Sequence, residues 1–203
     1  MKVLSAFNWV DLVVLACFLR IGYIAANKGF ISELFKDIGI ILSLFLSFQF
    51  YPLFNSLLVK VPLLRSHSDL ALFTSFIVLG GGSYILFRYL RGIILALFKV
   101  ESHYVIERWV SFFLGLGRAA TFVSLVFFSF WLINISYLNK SMEKSVSFGV
   151  FSPVAPYVYK SMYGLCVKFF PTASFNKQAA NFGSKKTKAG TKKKNKLRKS
   201  SKK

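Results

Sequence analysis

Residues 70 to 90 read LALFTSFIVLGGGSYILFRYL, and Arg88 is the one charge among them. These 21 residues, rising about 1.5 Å each as a helix, reach roughly 31 Å. That length matches a hydrocarbon core of about 30 Å, so the stretch reads as a membrane span. Its neighbours agree. Hydrophobic residues make up 55% of the 203-residue chain and charged residues 17%, against about 25% charged in soluble domains. The chain has too little polar surface to stay in water alone.

Working outward, three further spans are expected, giving approximate limits of 10–26, 38–58, 70–90 and 112–135. The first begins after Trp9, an interfacial aromatic, and carries Arg20. It has no convincing small-residue cleavage site and reads as retained. Asn27, Lys28 and Gly29 make a short turn in which Gly29 is expected to end the helix in a left-handed conformation. So short a turn predicts that the second helix returns as an antiparallel neighbour. The second helix starts near Phe30, with Glu33 and Asp37 where the macrodipole favours acids. Pro52 interrupts it, so a kink or partial re-entry is open.

The run Gly80-Gly81-Gly82 in the third span suits close helix approach or a kink. Arg91 to Val100 reads as an extension of that helix. In the fourth span Ser111, Gly115 and Ala119 recur every four residues. This small-residue stripe predicts a close helix contact, within one molecule or between copies. Residues 138–149 read as a polar linker and 150–170 as an interfacial helix, since Pro153 and Pro156 disfavour a full span. The overall expectation is an all-α polytopic membrane domain over 1–172, followed by a disordered Lys-rich tail over 173–203.

The net charge is +20, and 12 of the 27 basic residues lie from Lys177 onward. The basicity is therefore largely a tail property. Without interleaved aromatics the tail suits an anionic lipid surface or topological anchoring better than single-stranded nucleic acid. A cytoplasmic tail with four spans would place Lys28, Lys36, Arg88, Arg91, Lys99 and Arg108 on the opposite side, against the positive-inside tendency.

Charges inside a bilayer cost roughly 2.5 to 3.5 kcal/mol each on insertion scales and need a reason. Asp11, Arg20 and Arg118 are the three in the first and fourth spans. They either sit near an interface or form a polar focus in the bundle, such as an Asp11–Arg118 pair. Catalytic, cofactor and metal signatures are missing. His67 and His103 lack metal-ligand spacing, Cys17 and Cys166 suggest no disulfide framework, and His67-Ser68-Asp69 is not a triad, which is assembled in space.

Several short motifs together resemble the CvpA family, the colicin V production proteins. Asn8-Trp9-Val10-Asp11 is similar to the family's start. Lys28-Gly29-Phe30, with Glu33 three later, resembles its Arg-Gly-Phe-x-x-Glu turn. Glu107-Arg108, Gly115 and Arg118 resemble its Asp-Arg-x-x-Gly-x-x-x-Gly-x-x-Arg-Gly segment, with Ser111 and Ala119 where the family has glycine. Lys28 stands for the usual arginine. The resemblance covers approximately residues 7–170. It implies a bacterial inner-membrane protein of about four spans, associated with toxin production or export and with envelope function, without known catalytic activity. Asp11, Glu33, Arg108 and Arg118 would then hold helix register or meet a partner. A small channel or transporter, and a membrane-tethered module acting through the tail, are the alternatives.

Overall fold

The computed structural model describes residues 8–60, 68–97, 104–169 and 175–182. Eight helices are described: α1 Trp9–Ala26, α2 Phe30–Leu58, α3 Ser68–Leu97, α4 Tyr104–Ile133, α5 Ser136–Lys144, α6 Val146–Phe151, α7 Val154–Phe169 and α8 Lys177–Ala180. The described residues contain no strand. The first four helices are long and apolar enough to cross a membrane, with candidate spans Trp9–Ala26, Phe30–Leu58, Asp69–Ile94 and Arg108–Ile133. The chain is an all-α, polytopic membrane protein.

Local chemistry sets the helix ends. Asn8 and Asp11 form a capping box at the start of α1, satisfying donors that the first turn leaves free. Gly29 does not end α1 in a left-handed conformation. Its φ of −63° and ψ of 151° are extended, and it is the N-cap of α2, while Asn27 caps α1. Among the described non-glycine residues the one with positive φ is Asn134, at 58°, which stops α4; asparagine tolerates that region better than most side chains.

Packing departs from the hairpin expectation. α1 packs on α4, α3 packs on α2, and α4 also packs on α2 and α3. Despite their short turn, α1 and α2 do not pack along their lengths. The small-residue face of α4 explains this. Gly115 faces Ala25, Gly22 and the Ile21 carbonyl so closely that a Cβ placed there would collide with the Ala25 Cβ. The Ser111–Gly115–Ala119 stripe thus receives α1 of the same molecule, on the face that association between copies would use. With α1 drawn to α4, a gap opens beside α2.

Below that gap the bundle is filled by rings. Phe48, Tyr51, Phe76 and Phe128 are buried, with ring centroids 4.6 Å apart for Phe48–Phe128 and 5.0 Å for Phe76–Phe128. Such tilted and edge-on pairs are worth about 0.5–1.5 kcal/mol beyond their buried area. The outer face of α1 carries exposed Leu12, Leu15, Leu19 and Tyr23, a surface suited to lipid.

The second span is one helix through Pro52. Proline lacks an N–H, so the carbonyl four residues earlier loses its helical partner. That carbonyl belongs to Phe48, and the Asn176 side-chain amide donates to it at 2.7 Å. The third helix runs on to Leu97, and the fourth begins at Tyr104 rather than near 112.

The expected polar linker over 138–149 is instead α5 and most of α6, folded back on the bundle with Met142 and Phe148 buried. Phe148 meets Phe127 at 5.3 Å, and Phe151 meets Phe18 at 4.8 Å. The expected interfacial helix is α7, whose first turns bury one face, with Ala155 and Tyr159 fully buried, and leave Tyr157 exposed on the other. Ser124 makes this possible. Its hydroxyl donates to the Ser152 carbonyl at 3.2 Å and accepts from the Ala155 N–H at 2.9 Å, so the turn into α7 is satisfied by α4. Irregular backbone at membrane depth is tolerated only where protein supplies such partners.

Chain beyond the domain edge expected at 172 also contacts the bundle. Residues 175–182 pack on the bundle, with Ala179, Ala180 and Phe182 buried and Phe182 against Phe128 at 5.1 Å. The rest of the Lys-rich tail, 183–203, lies outside the described residues.

Candidate functional site

The charged side chains of α2 and α4 meet at the end of the bundle where α1 turns into α2. Glu33 lies in the first turn of α2 and is completely buried. Lys36, three residues on and so on the same helix face, pairs with one carboxylate oxygen. The Arg118 guanidinium of α4 pairs with the other. Arg118 Nη1 also lies 3.9 Å from Asp37 Oδ1. One buried acid thus bridges two cations from two helices. Such a cluster gains little over an apolar core of the same shape, but removing one member leaves a bare charge and costs about 3–5 kcal/mol.

Beside the cluster lies a cavity of about 590 Å³, within the range of about 300–1,000 Å³ usual for small-molecule sites. It occupies the gap left where α1 parts from α2. Its body is apolar, with Ile77, Phe122 and Val126 in the walls, Ser43 and Ser47 on α2, and Phe76 at its inner end. The serine hydroxyls donate to carbonyls four residues back, Ser43 to Gly39 at 2.7 Å and Ser47 to Ser43 at 2.6 Å. Its other end is lined by Lys28, Lys36, Arg88, Arg91 and Arg118. Lys36 and Arg118 are engaged by Glu33. Lys28, Arg88 and Arg91 form no ion pair among the described residues.

A second polar cluster sits at the opposite end of α1. Asp11 is 3% exposed. It accepts from the Ser145 hydroxyl and the Ser147 N–H, both at 2.8 Å, and from the Asn8 N–H at 3.0 Å. Asn8 in turn donates to the Ser141 carbonyl at 2.9 Å. Asp11 therefore serves the starts of both α1 and α6 and ties the C-terminal segment to the first span. A third connection runs through Tyr159, which donates to Gln49 Oε1 at 2.8 Å and accepts from the Asn176 N–H at 3.1 Å. Burial pushes the Tyr159 phenol above its ordinary value, so it stays a neutral donor.

Of the residues singled out in the sequence, Glu33 and Arg118 come together and Asp11 does not join them. The Asp11–Arg118 pair is replaced by Glu33–Arg118, because α1 and α4 meet through Gly115 near Ala25 while Asp11 lies at the far end of α1. Arg20 is exposed on α1 and Arg108 is exposed near the start of α4. Gly29 caps α2, and Gly115 is the α1 contact. Sequence reasoning counted Lys28, Lys36, Arg88 and Arg91 for orientation and missed that they share a cavity. The signal was their crowding at the turn after α1, the start of α2 and the later part of α3.

Residues 10–156 match the family model for the colicin V production protein. The chain belongs to that family. No curated protein and no solved structure matches it. As a colicin V production family protein with four apolar helices of spanning length, it is a multi-pass membrane protein tied to colicin V production. The family match takes in Asp11, Glu33 and the cavity's five basic residues, and it ends just inside α7. The Asn176 anchor lies beyond it.

Proposed function

We propose that this chain is a non-enzymatic accessory of the bacterial inner membrane that supports toxin production or export and envelope function, with its tail in the cytoplasm. The observation that carries the reading is the family match across all four spans. The use of the buried acids supports the non-enzymatic part. Glu33 is taken up by two cations and Asp11 by helix starts, so each serves packing rather than proton transfer. The tail, rich in lysine, would add attraction to anionic lipid at about 1 kcal/mol per base near the surface.

The test is complementation. A colicin V-producing bacterium lacking its own family member is given this chain or its Glu33→Gln variant, and toxin release and detergent tolerance are measured. Restoration by the native chain and loss with Glu33→Gln are expected. Unchanged toxin release and unchanged tolerance on deletion would remove the proposal. A pore through one copy is the less favoured reading, because the rings of Phe48, Tyr51, Phe76 and Phe128 fill the bundle beneath the cavity. Ion flux above empty liposomes would restore it.

A further inference from the structure

Three observations about the cavity converge. The first is charge. Lys28, Lys36, Arg88, Arg91 and Arg118 line one end, and Glu33 and Asp37 are the acids beside them. Among the described residues, cations outnumber acids there by three, next to an apolar interior where an uncompensated charge is costly. The buried Nε of Arg91 has no hydrogen-bond partner, which leaves an oriented donor unused.

The second is depth. From Lys36 to Ser47 the α2 wall runs twelve residues, whose eleven helical steps cover roughly 16 Å. That is about half of a 30 Å hydrocarbon core, the thickness of one leaflet. Below it the floor is Phe76.

The third is access. The wall residues Ile77, Tyr84 and Phe122, on the two spanning helices α3 and α4, are 41–46% exposed rather than sealed in the core. The cavity therefore opens sideways, onto the surface that lipid covers.

We infer that this cavity holds a single anionic phospholipid, its phosphate among Lys28, Arg88 and Arg91 and one acyl chain along Ile77, Phe122 and Val126. Guanidinium forks match phosphate oxygens bidentately, and basic pockets between membrane helices are suited to anionic headgroups. The ion pairs of Glu33 leave Lys36 and Arg118 as fixed walls, while Lys28, Arg88 and Arg91, without an ion pair among the described residues, supply the binding charge. The site is distinct from the basic tail and goes beyond the accessory role, so its failure would leave the complementation result standing.

The full chain is reconstituted in nanodiscs holding equal phosphatidylglycerol and phosphatidylcholine, extracted in mild detergent, and its retained lipid read by native mass spectrometry. One phosphatidylglycerol per chain is expected, favoured at least tenfold over phosphatidylcholine. The triple variant Lys28→Gln, Arg88→Gln, Arg91→Gln keeps the tail and the Glu33 cluster and should lose that preference. Gly81→Leu should also empty the site. Gly81 lines the cavity and a Cβ there meets nothing within 4 Å, so the added side chain fills lipid space in a helix it favours. Equal retention of both lipids by the native chain, or undiminished phosphatidylglycerol in Gly81→Leu, overturns the inference. Inorganic phosphate at constant ionic strength should not raise the melting temperature. If it stabilises the native chain and Gly81→Leu equally, the site takes a free anion and the lipid assignment is wrong.

Discussion

The Phe48 carbonyl, which Pro52 cannot serve, accepts the side-chain amide of Asn176 at 2.7 Å. Asn176 also caps the following short helix through Ala179 N at 3.2 Å and donates its own N–H to Tyr159. One residue from beyond the family match thus repairs a proline break in the second span. Replacing it with leucine leaves the buried carbonyl unpaired, at about 1–3 kcal/mol. Unfolding in detergent should show that loss for Asn176→Leu. In Pro52→Ala, which restores the helical donor, the same substitution should cost less than half as much.

Asp11 makes a prediction of a different kind. Its carboxylate joins the starts of α1 and α6. Asp11→Ala removes the acceptor for three donors and should destabilise the protein by about 2 kcal/mol or more, with each orphaned donor costing on the order of 1 kcal/mol. The effect should be local first. Limited proteolysis should cut within 136–151 before it cuts the spans, and equal protection of that segment in the native chain and the variant would contradict the assigned role.

Gly115 meets Ala25 with no room for a side chain. Gly115→Val should force α1 from α4 and cost about 1–3 kcal/mol, the usual penalty of overpacking. Ala25→Gly should recover part of that loss by opening the same contact. If Gly115→Val is as stable as the native chain, α1 packs elsewhere.

The spans were legible because their evidence is local. A stretch of 21 residues holding a single charge and a stripe of Ser111, Gly115 and Ala119 declare themselves without reference to partners. Pairing was not. Lys28 and Gly29 make a turn short enough to suggest that α1 lies on α2, yet the flat face of α4 competes for α1 and wins. That exchange moved Arg118 from Asp11 to Glu33 and opened the cavity between its basic residues. Ser145 and Ser147 looked like linker because their partner lies more than 130 residues away. Phe175, Asn176 and Phe182 were lost in the lysine-rich composition that follows them, although their apolar spacing marks a docking segment.

The central claim is that a buried acid of the second span is held by an arginine of the fourth. A double-mutant cycle of Glu33→Gln and Arg118→Gln, read by reversible unfolding in detergent or bicelles, tests it directly. Each single change should cost about 3 kcal/mol or more, because it strands a charge, and the double variant should recover at least about 2 kcal/mol of the summed loss. Losses that simply add, within about 0.5 kcal/mol, would mean that the two side chains do not meet and that the bundle is assembled differently.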